Sequence, residues 1–191
     1  MANSRIDNNR RIRTLESYEL MDTLPESVYD EITKLAAAIC NTPIGLITLI
    51  DDKRLHFKSF HGIDLNEIPL EHSFCQYIIK DDVDVLIVED AKKDARFADN
   101  PMVQNAPNVS FYAGVSLTTP LGFRLGALCV IDDRPKKLNE IQINGLQTLA
   151  KQVVQLFEFR KTKKEIEKKN LALEKIFDTS LDIICTLDED G

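Results

Sequence analysis

The chain has 191 residues, which suits one domain of about 150 residues with an appendage. A formal net charge of −7 argues against nucleic acid as a general partner, because neutralising phosphates needs a basic face. No run of about 18 apolar residues occurs and residues 1–13 are polar, so neither a membrane helix nor a signal peptide is expected. The four cysteines, at 40, 75, 129 and 185, form no CxxC pair and no disulfide framework, and the cytoplasm is the expected location.

In chain order, residues 1–11 lack periodicity and are expected to be disordered. Ile12, Leu15, Tyr18 and Leu20 then mark a short amphipathic helix, broken at Thr23-Leu24-Pro25. A second helix begins near Pro25 or Glu26 and ends near Asn41-Thr42-Pro43. It carries Val28, Tyr29, Ile32, Leu35, Ala36 and Ile39 at spacings of three and four, a face suited to covering a sheet. Ile44 to Ile50 reads as a nearly continuous apolar strand, turned at Asp51-Asp52-Lys53-Arg54 and answered by Leu55 to Phe60. Asp64 to Glu71 reads as loop, Ser73 to Ile79 as a short helix, Val85 to Val88 as a brief strand. Asp90 to Val103 is expected to be mostly helical, with Asp94 and Asp99/Asn100 as caps before Pro101.

The organising stretch is a hairpin, Phe111–Thr118 and Arg124–Ile131, turned at Thr119-Pro120-Leu121-Gly122. Proline pre-sets one turn angle there and glycine tolerates the reversal. After Leu138-Asn139 a long amphipathic helix runs from Ile141 to Phe159 and onward. Counted in sevens, Leu149, Leu156, Lys163, Asn170 and Phe177 fall on one line. Gln152, Phe159, Ile166 and Leu173 fall on the next, an imperfect heptad seam consistent with a dimeric coiled coil. Residues 158–175 hold seven basic and four acidic side chains, read as a solvated face. Leu181 to Leu187 alternates partly and ends in a turn signal, like the first strand of another domain.

Several motifs resemble a bacterial subgroup of the GAF family. They are Leu15–Glu26 (LESYELMDTLPE), Ala37–Asp51 (AAICNTPIGLITLID), Phe57–Gly62 (FKSFHG) and Ser73–Cys75 (SFC). Val88–Val103 (VEDAKKDARFADNPMV), Phe111–Val115 (FYAGV) and Leu125–Asp132 (LGALCVID) complete the set. The resemblance implies an α+β fold: a central antiparallel sheet flanked by helices, with a long C-terminal signalling helix. Residues 12–158 would form the GAF domain and 159–176 a coiled-coil signalling helix. Residues 177–191 resemble the truncated start of a PAS domain. That order implies a sensory module upstream of an output such as a histidine kinase of a two-component system or, second, a diguanylate cyclase. A homodimer through the C-terminal helix and a small-molecule ligand of unspecified identity are the implied partners.

No catalytic motif is present: there is no phosphate loop, HExxH or GxSxG. His56, His61 and His72 lack metal-site flanks, and the acidic residues read as turns and caps, so neither a metal nor an acid–base pair is expected. Cysteine offers the rival reading, because some GAF domains reduce free methionine sulfoxide with cysteines and others anchor bilins. Cys75 and Cys129 are the candidates for redox sensing or catalysis, against a reading as small buried hydrophobes. If a ligand binds, the resemblance places it between the sheet and the crossover helices. Phe74, Cys75, Ile78, Arg96, Phe97, Phe111 and Tyr112 would then contribute. Arg96 would pair with an anion and the aromatics stack on a ring. The alternative is that the aromatics fill the core while Arg96 ties the loop through Asp90 or Asp94.

Overall fold

The structure is a computed structural model that describes the backbone of residues 2–189 and the side chains of residues 7–176. It divides into two units, residues 1–155 and 156–191. In the first unit, helices α1 (Ala2–Ser17) and α2 (Ser27–Cys40) precede strands β1 (Ile44–Ile50), β2 (Arg54–His61) and β3 (Glu67–Pro69). Helix α3 (Gln76–Lys80), strand β4 (Val85–Val88), helix α4 (Pro101–Gln104) and strands β5 (Phe111–Thr118) and β6 (Arg124–Asp132) follow. Helix α5 (Glu140–Glu189) begins in the first unit and makes up the second. The fold is therefore α+β, with six antiparallel strands in the order β3-β2-β1-β6-β5-β4.

Alternation along the strands divides the sheet into two faces. Ile47, Leu49, Leu128, Val130, Phe111 and Ala113 are buried on one, the face that α2 covers with Tyr29, Thr33, Ala36, Ala37 and Cys40. Gly45 lets α2 lie close, since a Cβ there would meet the Thr33 carbonyl oxygen at 2.3 Å. Leu46, Phe57, Leu86, Tyr112 and Cys129 belong to a second cluster on the opposite face, together with Phe74, Ile78, Phe97 and Val103 of the segments that cross it.

The hairpin turns as its residues dictate: Gly122 has φ +84° and its N–H donates to the Thr119 carbonyl at 2.9 Å. Asn41, at φ 52°, closes α2 in the left-handed conformation that ends many helices. The Asn100 side chain caps α4 by accepting from Met102 N at 2.9 Å, with Pro101 following it.

Four sequence expectations differ from the structure. Residues 2–10, expected to be disordered, lie in α1, because a helix anchored by buried Arg11 and Leu15 propagates at little further cost. The 90–103 connection is mostly turns, with only Pro101–Gln104 α-helical. Asp90 and Asp94 accept from the backbone N–H two residues on, and such bonds compete with a helix. Within the segment read as loop, Glu67–Pro69 forms the edge strand β3. Leu181–Leu187, read as a strand, continues α5. A lone strand leaves its backbone groups unpaired, whereas a helix satisfies them internally. Side chains beyond residue 176, Phe177 and Cys185 among them, lie outside the described residues.

Candidate functional site

An aromatic stack covers the sheet on the face opposite α2. The ring of Tyr112, on β5, lies 5.1 Å from that of Phe74, which lies 4.1 Å from Phe97 with planes 10° apart. Tyr77 meets the edge of Phe97 at 5.0 Å. The Arg96 guanidinium sits outermost, 5.0 Å over Phe97, and both arms of its fork are held by Asp94 at 3.0 and 2.7 Å. Arg96 is thus tied to its own loop rather than aimed inward. Ile78 is fully buried in the same cluster.

Beneath the stack, Tyr112 folds back along its strand over Gly114, where a Cβ would meet its hydroxyl at 2.1 Å. That close approach is why glycine stands at 114. The Tyr112 hydroxyl donates to Cys75 Sγ at 3.2 Å. Thr48 Oγ1 lies 3.5 Å from the same sulfur and 3.1 Å from the Ala127 carbonyl, and its one hydrogen serves either acceptor. A hydrogen bond from Cys129 lowers the Cys75 thiol pKa, against burial and with help from Thr48 and Tyr112. Cys129 is pushed up by that same bond and by burial, and burial also raises Tyr112. Cys75 and Cys129 therefore titrate together as a buried pair.

A cavity of about 30 Å³ adjoins these groups, lined by Leu46, Phe57, Phe74, Cys75, Tyr112 and Cys129 among others. That is room for about one water, whereas small-molecule pockets run to several hundred Å³. Of the residues expected at a ligand site, Phe74, Cys75, Ile78, Phe97 and Tyr112 come together here. Phe111, one residue before Tyr112, belongs to the opposite face, where its register partner is Asp132. Thr48, which lies within the Ala37–Asp51 motif, and His72, just before Ser73–Cys75, also reach the site but were not among the residues expected there. Alternation along β1 places Thr48 beside Leu46 and Ile50, the signal by which it could have been found.

A six-stranded antiparallel sheet with helices on one face and an aromatic-lined irregular cover on the other defines an α+β domain. The chain belongs to the GAF domain family, whose pattern it matches over residues 24–156. It is 38% identical over 149 residues to a cyclic di-GMP phosphodiesterase of Pseudomonas aeruginosa, which covers 78% of this chain and 25% of that protein. The chain thus spans about a quarter of that relative's length. The GAF domain of an Acinetobacter phosphoenolpyruvate-protein phosphotransferase superposes with TM-score 0.59 at 15% identity, over 85% of this chain and 97% of that one. A free methionine-R-sulfoxide reductase of Neisseria meningitidis, solved with its substrate, gives 0.57 at 17% identity over 85% and 92%. Those structures establish the shared fold.

Proposed function

We propose that this GAF sensory domain binds a small planar molecule at the Phe97–Phe74–Tyr112 stack and passes occupancy to a paired α5 helix. The observation that carries the reading is the stack itself, three rings in register over an apolar cavity beside a pair of thiols. Phe74 fills the place that a ligand ring would take. It lies in the short segment between residues 73 and 75, outside any strand, so it can leave without breaking the sheet. Stacking on Phe97 and Tyr112 would then be recovered by the ligand. For such coupling to be allosteric, the occupied and empty states must differ in helix pairing.

Helix pairing rests on the exposed seam. Phe159, Ile166 and Leu173 recur every seven residues along α5 and are 69%, 53% and 54% exposed, which a parallel partner would cover. No helix among the described residues is long and apolar enough to cross a membrane, and a cytoplasmic homodimer is the state proposed. The outputs weighed on the sequence were a histidine kinase and a diguanylate cyclase. The Pseudomonas relative, a cyclic di-GMP phosphodiesterase, favours an output in cyclic di-GMP signalling over a two-component histidine kinase. The onward helix would feed a PAS domain in either case. Sedimentation of residues 1–191 beside residues 1–158 tests the pairing. A dimer that falls to monomer on truncation is expected, and a monomer in both would refute it.

The Cys75–Cys129–Tyr112 cluster favours a second reading, a thiol redox sensor. Oxidation of the two thiols by one hydrogen peroxide would form one disulfide, the two thiol hydrogens leaving with the peroxide's own hydrogens and oxygens as two waters. Mass loss of two hydrogens per chain after peroxide treatment, abolished in Cys129→Ser, is the expected result. Retention of both thiols would refute it.

A further inference from the structure

The register of the sheet edge assembles a second constellation, on the face away from the aromatic stack. His56 of β2 pairs directly with Glu67 of β3, and Asp22 arrives from the loop between α1 and α2. One donor atom from each residue lies within 4.8 Å of the others. His56 is only 8% exposed, yet its Nδ1 is buried without a hydrogen-bond partner and sits 3.9 Å from Asp22 Oδ1. A bare imidazole nitrogen facing two carboxylates is a ligand atom in want of a cation.

We propose that Asp22, His56 and Glu67 form a binding site for a divalent transition metal of the zinc type. One imidazole with two carboxylates suits such an ion better than magnesium or calcium, which prefer oxygen alone. Bonds of about 2.0–2.1 Å place tetrahedral ligand atoms about 3.4 Å apart. The exposed Asp22 and Glu67 side chains therefore need to close by little more than an ångström. Arg54 occupies one oxygen of each carboxylate, Asp22 Oδ2 at 2.7 Å and Glu67 Oε2, leaving Oδ1 and Oε1 outside those bonds. It orients the two carboxylates as outer partners orient metal ligands elsewhere.

The charge also suits a cation. Asp22 and Glu67 against Arg54 leave one negative charge, while the neighbouring Lys58 is matched by Glu26 at 2.7 Å. Burial lowers the His56 pKa, which keeps the ring neutral and able to ligate. A bound ion would tie the α1–α2 loop to the edge of the sheet. A cleft of about 600 Å³ lined by Asp22, His56, Lys58 and Glu67 opens beside it, giving the ion a route in and space for water ligands.

Isothermal titration of the tag-free 191-residue chain with zinc chloride near neutral pH is the test, with magnesium chloride alongside. One saturable zinc equivalent, about 100-fold weaker in His56→Gln and at least about tenfold weaker in Glu67→Gln, is expected. Magnesium should show no saturation, and His61→Ala, at the end of β2 and outside the cluster, should bind zinc as the parent does. Circular dichroism without zinc verifies that each variant is folded. Should His56→Gln fail to fold, the exposed Glu67→Gln supplies the comparison. Absence of saturable zinc binding, or binding undiminished in the folded variants, would overturn the proposal.

Discussion

Phe74→Ala probes the aromatic stack most directly. The side chain is 5% exposed, with Phe97 at 4.1 Å and Tyr112 at 5.1 Å. Truncating a buried phenylalanine costs about 3–5 kcal/mol, through lost transfer energy and the void left behind. The two ring contacts add about 0.5–1.5 kcal/mol each beyond area, which places this site towards the upper end. The void would merge with the neighbouring cavity of about 30 Å³. A merged apolar space of roughly 150 Å³ is the size at which engineered cavities take up benzene. Urea denaturation, with and without saturating indole or benzene, reads both effects. A loss of about 3–5 kcal/mol that an aromatic ligand partly restores is expected, with a smaller loss for Phe74→Leu. A loss below about 1 kcal/mol, or no response to any aromatic, would refute the claim that Phe74 holds a ligand-sized place in the core.

Tyr112→Phe removes a donor that stabilises the Cys75 thiolate. The thiol pKa should therefore rise by about one pH unit, read from alkylation rate against pH, and an unchanged midpoint would deny the hydroxyl its role. In Gly45→Ala the new Cβ would meet the Thr33 backbone oxygen at 2.3 Å, so α2 must lift from the sheet. A loss of about 1–3 kcal/mol in chemical denaturation is expected, and a neutral result would mean that α2 shifts freely. For His56 the folded pKa lies below the ordinary value of 6.5, chiefly through burial. The unfolded chain therefore binds the proton more readily. Its neutral ring contributes stability in full above about pH 6.5, and this is lost as pH falls through the folded pKa. In chelator-containing buffer, His56→Gln should flatten that acid-side decline, and an unaltered slope would contradict the assignment.

Much of the sheet was legible because its strands are apolar runs between strong turn signals. Ile44–Ile50, Val85–Val88 and the Phe111–Thr118 strand fall where the sequence placed them. Helix α2 was located but its faces were only partly sorted. Val28 and Leu35 are 40% and 48% exposed, whereas Thr33 is buried beside Ser59 at 3.2 Å. A threonine whose hydroxyl finds a partner packs as well as an aliphatic side chain, and apolar spacing does not register that. The candidate site was legible where motif residues are neighbours in sequence, as with Phe74 and Cys75. Of Phe111 and Tyr112, strand alternation permits only one to face the cavity, and the motif alone did not say which. The Asp22–His56–Glu67 cluster had no sequence signature, because its spacings of 34 and 11 residues are set by a loop and a strand register.

Native mass spectrometry of the purified 191-residue chain, beside its denatured mass, tests the sensory account most directly. The account predicts a dimer that carries additional mass of small-molecule size, lost on denaturation. A bare monomer, or a dimer that gains no mass with any planar aromatic offered, would contradict it.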